Sequence, residues 1–355
     1  MLGRHEDEGE GMGWRRIGTS AAVAIALAVS AAPASAQAYE EDGFFLFLDA
    51  IFTTPQNTDE VIAVTVDTDA APQEVQSQKV ILTDWSSDPT GKLQFGYRWA
   101  SGSTVSLTYW GFDNDQRTVG NGAPGSTMYF GIGPTIFFDD AYYGTSGAPG
   151  HFDIVSSIEA SSLEIEAGKV HPLSDAFSLE WAVGLRWADF SENQSGFYDF
   201  DDSTYPFFGE YRYSVTKSND SSMAGMEISG RAVYAFGEML SVESGLAFSF
   251  LEGDVDSRST NVPSGTVNAT TLPSASFSVK DNDRSGTIVD FDLNVVFHLS
   301  DDRYRLWFGY EYSDWEGLTV DLARKQAALF GQQTTFEVRD GIAFSGFKVG
   351  VGFLF

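Results

Sequence analysis

The sequence predicts an all-β fold, an antiparallel transmembrane β-barrel of about ten strands, and three observations carry that prediction. The segment Phe344 to Phe355 alternates apolar with small or polar side chains. Strand side chains repeat every two residues, so Phe347, Val349, Val351, Phe353 and Phe355 share one face and Gly346, Lys348, Gly350 and Gly352 the other, the lipid-out, lumen-in pattern of a membrane strand. Near the start, Trp14-Arg-Arg16, the apolar run Ala21 to Val29 and Ala34-Ser-Ala36 supply the charged, hydrophobic and small-residue regions of a secretory signal. Finally, aromatics make up 14% of the chain and glycines number 36, yet mean hydropathy is only -0.14 and no second long apolar run occurs. A helical membrane protein needs such runs, of about 20 residues each, whereas a barrel hides its lipid face in alternation.

The signal sets the first boundary. Cleavage is expected after Ala36, with Met12 the better start because Glu6, Asp7, Glu8 and Glu10 are out of place ahead of an export signal. Residues 37–355 then form one barrel domain. In order along the chain, period-two runs appear at Phe44 to Phe52, Leu93 to Trp99, Val105 to Trp110, Leu163 to Ala167, Phe177 to Trp187, Met226 to Phe236, Leu240 to Phe250, Val289 to Leu299, Tyr304 to Tyr312 and Gly346 to Phe355. A hairpin from Val61 to Val66 and Val80 to Leu82 would raise the count to twelve. Short connections at 100–103, 171–176, 237–239 and 300–303 alternate with long ones near 54–90, 113–152, 191–222, 254–284 and 316–340. Periplasmic turns and long extracellular loops account for this asymmetry and put both ends of the mature chain in the periplasm.

The inward phase of these strands is polar. It carries Arg98, Glu164, Glu166, Glu180, Arg186, Glu227, Arg231, Glu243, Asp290, Asp292, Arg305, Glu311 and Lys348. An Arg or Lys facing mid-bilayer lipid costs roughly 2–4 kcal/mol, which selects the register that turns these groups inside. On that register Leu185 faces lipid and Arg186 the lumen, so arginine at 185 should cost several times more than leucine at 186. The polar interior fits either a salt-bridged plug or a narrow hydrated pore with cation preference. Trp99, Tyr109, Trp110, Trp187, Tyr234, Tyr310 and Tyr312 sit near strand ends, as an interfacial aromatic girdle would.

Composition limits the partners. A formal charge of -29 excludes nucleic acid, and removing residues 1 to 36 takes away three arginines and four acidic residues, leaving the balance strongly negative. Outer-membrane lipids, lipopolysaccharide and the barrel-assembly machinery are the expected partners, the last recognising the aromatic terminus at Phe353 and Phe355. The acidic stretches Asp199 to Asp202 and Asp254 to Asp256 are places for divalent cations, although neither has the spacing of a calcium loop. No cofactor is expected, and no catalytic set stands out: of the four histidines, only His151, beside Asp153, invites a hydrolase reading.

Gly91-Lys-Leu-Gln-Phe-Gly-Tyr-Arg98, Ser162-Leu-Glu-Ile-Glu-Ala-Gly168, Gly184-Leu-Arg-Trp-Ala188 and the closing Gly346 to Phe355 resemble the pore-forming outer-membrane proteins similar to the Legionella major outer-membrane protein. The resemblance implies pore formation, with lumen roles for Arg98, Glu164, Glu166 and Arg186. The chain has no cysteine, so the disulfide-linked assembly associated with that protein is not expected, and any homo-oligomer would be non-covalent. Porin-like passage of ions or small solutes is thus the first expectation. A closed structural or surface-interaction barrel is the alternative, and an outer-membrane hydrolase ranks third.

Overall fold

A computed structural model of the protein describes residues 42–56, 61–68, 75–121, 126–130, 151–201, 210–264, 266–267, 270–271, 274–299, 303–318, 325–329, 332–336 and 341–355. The export signal expected at 1–36 lies outside these residues. Ten strands close a barrel: β1 Gly43–Gln56, β2 Asp88–Arg98, β3 Ser103–Asn121, β4 His151–Pro172, β5 Phe177–Asp201, β6 Glu210–Ala235, β7 Leu240–Ser264, β8 Ala275–Leu299, β9 Tyr304–Glu316 and β10 Gly341–Leu354. Each pairs antiparallel with its neighbours in the chain, and β10 returns to β1 with Leu354 opposite Phe45. Two backbone bonds secure this seam, Phe44 N–H to the Phe355 carbonyl at 2.7 Å and Phe355 N–H to the Phe44 carbonyl at 2.9 Å. The strands at 61–68 and 75–82 pair with each other and, through 61–68, with 126–130, in a separate three-stranded sheet. They add nothing to the wall, so the count is ten and not twelve.

The outer surface carries the apolar phase. Phe44, Leu48 and Phe52 on β1, Leu93 and Phe95 on β2, Leu246 and Phe248 on β7, and Phe347 on β10, 73% exposed, all point away from the lumen. A continuous apolar belt of this kind is far larger than the exposed patches of water-soluble monomers. Tyr109, Tyr234 and Trp99 share the outer face. Trp110 does not: it is buried on the inward phase of β3, so it is no part of a girdle. Two adjacent strand residues cannot face the same side, and Tyr109 holds the outer position. At the end where Phe44 and Phe355 meet, tight turns join the hairpins, with Gly102 at φ 79° and Gly237 at φ 92°, conformations that favour glycine.

Strand length corrects the expected loops. β3 through β8 contain 19, 22, 25, 26, 25 and 25 residues, while a tilted strand needs only about 9–11 to cross a bilayer. Within the segments expected as loops near 113–152, 191–222 and 254–284, residues 113–121, 151–152, 191–201, 210–222, 254–264 and 275–284 are strand instead, continuing the ladders beyond the belt. Beyond Trp187 the outward positions of β5 become Asp189, Ser191, Asn193 and Ser195, and the inward ones include Glu192 and Gln194. Hydrogen bonding persists there although the apolar alternation has stopped.

Candidate functional site

Alternation along ten strands brings ionic side chains from nearly every wall into the space between the turn end and the middle of the barrel. Nine inward carboxylates lie there: Asp49 on β1, Glu164 and Glu166 on β4, Glu180 on β5, Glu227 on β6, Glu243 on β7, Asp290 and Asp292 on β8, and Glu311 on β9. Six cations face them, Lys92 and Arg98 on β2, Arg186 on β5, Arg231 on β6, Arg305 on β9 and Lys348 on β10. Each of the thirteen lumen positions named from the sequence lies on the inward phase, as does Lys92, which alternation likewise turns inward beside Arg98 on β2; Asp49 is the one acid that the sequence reading did not name.

Three ionic groups result. Arg186, 3% exposed, pairs with Glu164 of β4 at 3.3 Å, Glu227 of β6 at 3.4 Å and Asp290 of β8. One guanidinium thereby ties four strands across the lumen, and its planar donor fork suits several oxygens at once. Hydroxyls complete the acids: Ser162 donates to Glu164 at 3.2 Å, Ser249 to Glu227 at 2.8 Å, and Ser313 to Asp290. In the second group Lys348 sits 3.2 Å from Glu311 and 3.5 Å from Asp292, with Lys92 3.1 Å from the other Glu311 oxygen. The third, nearer the turn end, sets Glu243 3.9 Å from both Arg231 and Arg305. Glu166 accepts from Ser229 at 2.5 Å, and its carboxylate with those of Glu164 and Glu227 forms a triad with oxygens within 4.8 Å of one another.

Rings cap this layer on the far side. Trp110 and Phe112 of β3, Trp315 of β9 and Phe344 of β10 pack with centroids 5.2–6.3 Å apart, and the Arg186 guanidinium lies 5.8 Å from the Trp315 ring. Trp315 Nε1 donates to Ser313 Oγ at 2.7 Å, which joins the ring layer to the ionic one. Ile158, Phe190, Met223, Leu251, Val255 and Ile288 extend the same buried cluster around the wall. A cavity of only about 20 Å³ remains between the rings and the Arg186 group, room for one water at most. Below it a chamber of about 130 Å³ is lined by Phe45, Phe47, Arg98, Glu166, Glu180 and Arg231 among others.

The histidine reading fares differently. His151 and Asp153 share the outward phase of β4, His151 Nδ1 lies 2.9 Å from Asn121 Oδ1, and Arg117 grips Asp153 with two donors, one at 2.7 Å. Those hydrogen bonds hold Asp153 below its ordinary carboxylate value, so its carboxylate is committed to Arg117. Of the acidic stretches, Asp199 is held by Arg212 and Asp256 by Arg258, while 202 lies outside the described residues. The aromatic plug was missed by sequence reading; the adjacent apolar pair Tyr109 and Trp110 was its available signal.

The closed ten-stranded antiparallel wall with its apolar outer belt defines a β-barrel of the outer-membrane type. No family model matches the chain, and no curated protein matches it. Solved structures of similar layout include the outer membrane protease OmpT from Escherichia coli, with a TM-score of 0.46 at 10% identity, covering 91% of this chain and 100% of that one. The outer membrane protein OprG from Pseudomonas aeruginosa gives 0.26 at 11%, covering 89% and 99%, and the Pseudomonas putida toluene transporter TodX gives 0.29 at 7%, covering 89% and 90%. These likenesses concern the barrel layout alone.

Proposed function

We propose that this protein is a non-enzymatic outer-membrane barrel, closed at mid-height, which stands in the lipid as a structural and surface-presenting element, with both ends of the mature chain in the periplasm. The observation that carries this reading is the stacked closure: Arg186 bound to carboxylates from three other strands, directly beneath the Trp110, Phe112, Trp315 and Phe344 rings. Ions crossing that level would have to displace both layers. The belt supports contact with outer-membrane lipids and lipopolysaccharide, and the pairing of Phe355 with Phe44 supports a part for Phe353 and Phe355 in recognition by the assembly machinery.

A second reading, passive cation passage, draws on the resemblance to the Legionella pore-forming family and on the excess of nine carboxylates over six cations below the plug. A narrow passage of that charge would favour cations. Planar-bilayer recording of the refolded chain separates the two. The closed barrel gives no steady unitary current. Sustained conductance with a cation-selective reversal potential in a salt gradient would replace it with the pore.

A further inference from the structure

The chamber between the Arg186 group and the turn end combines three properties. It has a volume of about 130 Å³, close to the roughly 150 Å³ of an engineered cavity that holds benzene. Its ionic surroundings are unbalanced, because carboxylates in this layer exceed cations by three. Two of the lining acids make no ion pair within 4.0 Å among the described residues: Glu180, directly across the ladder from Arg231, and Glu166, which accepts from the Ser229 hydroxyl; both share the charge of Arg231 with Glu243 and Asp292, one cation for four acids. Negative charge in excess within a confined lumen is costly and draws a further counter-charge.

The lining also decides which counter-charge fits. Phe45 and Phe47, with centroids 5.0 Å apart, form an aromatic wall beside these acids. A metal ion would keep its water and gain nothing from that wall. An alkylammonium can bury its methylenes and place its charge against ring faces. We propose that this chamber is a binding site for a small organic cation of about the size of benzene, its ammonium group held by Glu166 and Glu180 and its alkyl part against Phe45 and Phe47.

The test uses the refolded full-length barrel in detergent and 1,4-diaminobutane as probe, followed by calorimetry and ligand-observed NMR, with calcium chloride and the doubly N-acetylated diamine as parallel arms. Saturable one-to-one diamine binding is expected, with no binding of the neutral acetylated form. Glu180→Gln, at an acid outside the ion pairs, leaves heat-modifiable mobility unchanged and weakens the diamine by about tenfold, the scale of one lost charge-assisted hydrogen bond. Phe47→Leu weakens the diamine and leaves any calcium binding as it was. Absence of diamine binding, binding equally strong in the folded Glu180→Gln variant, or calcium binding that displaces the diamine and ignores Phe47 would each overturn the proposal.

Discussion

Replacing Arg186 with leucine tests the closure most directly. The substitution takes one cation from contact with Glu164, Glu227 and Asp290, all held within a lumen where Arg186 itself is 3% exposed. Breaking a buried ion pair from one side costs about 3–5 kcal/mol, because the remaining charge is stranded. Here three acids are stranded together, so the upper end of that range is expected. Leu185→Arg, on the lipid face of the same strand, should cost roughly 2–4 kcal/mol. The two penalties are therefore comparable, and the several-fold asymmetry expected from register alone disappears once the lumen partners are known. Neutralising the acids as well, with Glu164→Gln, Glu227→Gln and Asp290→Asn in the Arg186→Leu background, should restore most of the loss and make the four changes strongly non-additive. Guanidinium unfolding from lipid vesicles, read by tryptophan fluorescence and heat-modifiable mobility, supplies the numbers. An Arg186→Leu barrel as stable as the parent at neutral pH would refute the reasoning, as would a fourfold variant no better than the single one.

Other expectations follow from the seam, the packing and the outer wall. Deleting Phe355 removes two backbone hydrogen bonds to Phe44, so folded barrel should fall by about 1–3 kcal/mol with export unchanged; equal yields of heat-modifiable protein would count against it. A side chain at Gly350 would run into the Trp307 ring and Asp49, and Gly350→Leu should cost about 1–3 kcal/mol by overpacking, checked in the same titration and refuted by an unchanged midpoint. Because Arg117 keeps Asp153 below its ordinary value, the pair contributes at pH above the unfolded carboxylate range, and that contribution is lost as pH falls through the lowered folded value. In Arg117→Gln, Asp153 should titrate near its ordinary value by NMR; an unmoved titration would show that another group sets it.

The wall was legible in the sequence wherever lipid writes one side of a strand and water or ions the other. Leu185 and Arg186, or Val349 and Lys348, fall on their faces by counting in twos. Two things were hidden. Above the belt, Ser191, Asn193 and Ser195 oppose Glu192 and Gln194, polar against polar, so continuing strands read as loops. Within the lumen, Trp110, Phe112, Trp315 and Phe344 are apolar on the phase reserved for polar groups, and they meet only because β3, β9 and β10 close into a ring. For Arg186, the count placed the charge inside but not its partners, which lie on β4, β6 and β8.

The antiparallel meander has a kinetic corollary. Every seam of the barrel but one joins strands that follow each other along the chain, so hairpins can form early and add in sequence. The exception is the seam between β1 and β10, which requires the two extremities of the domain to find each other. Non-local pairing of that kind is slow because loop closure must precede any reward from contacts. Before that step the molecule is an open sheet with two unsatisfied edges, the state most exposed to mispairing with another copy. The longer that closure takes, the longer those two edges stay open to such mispairing.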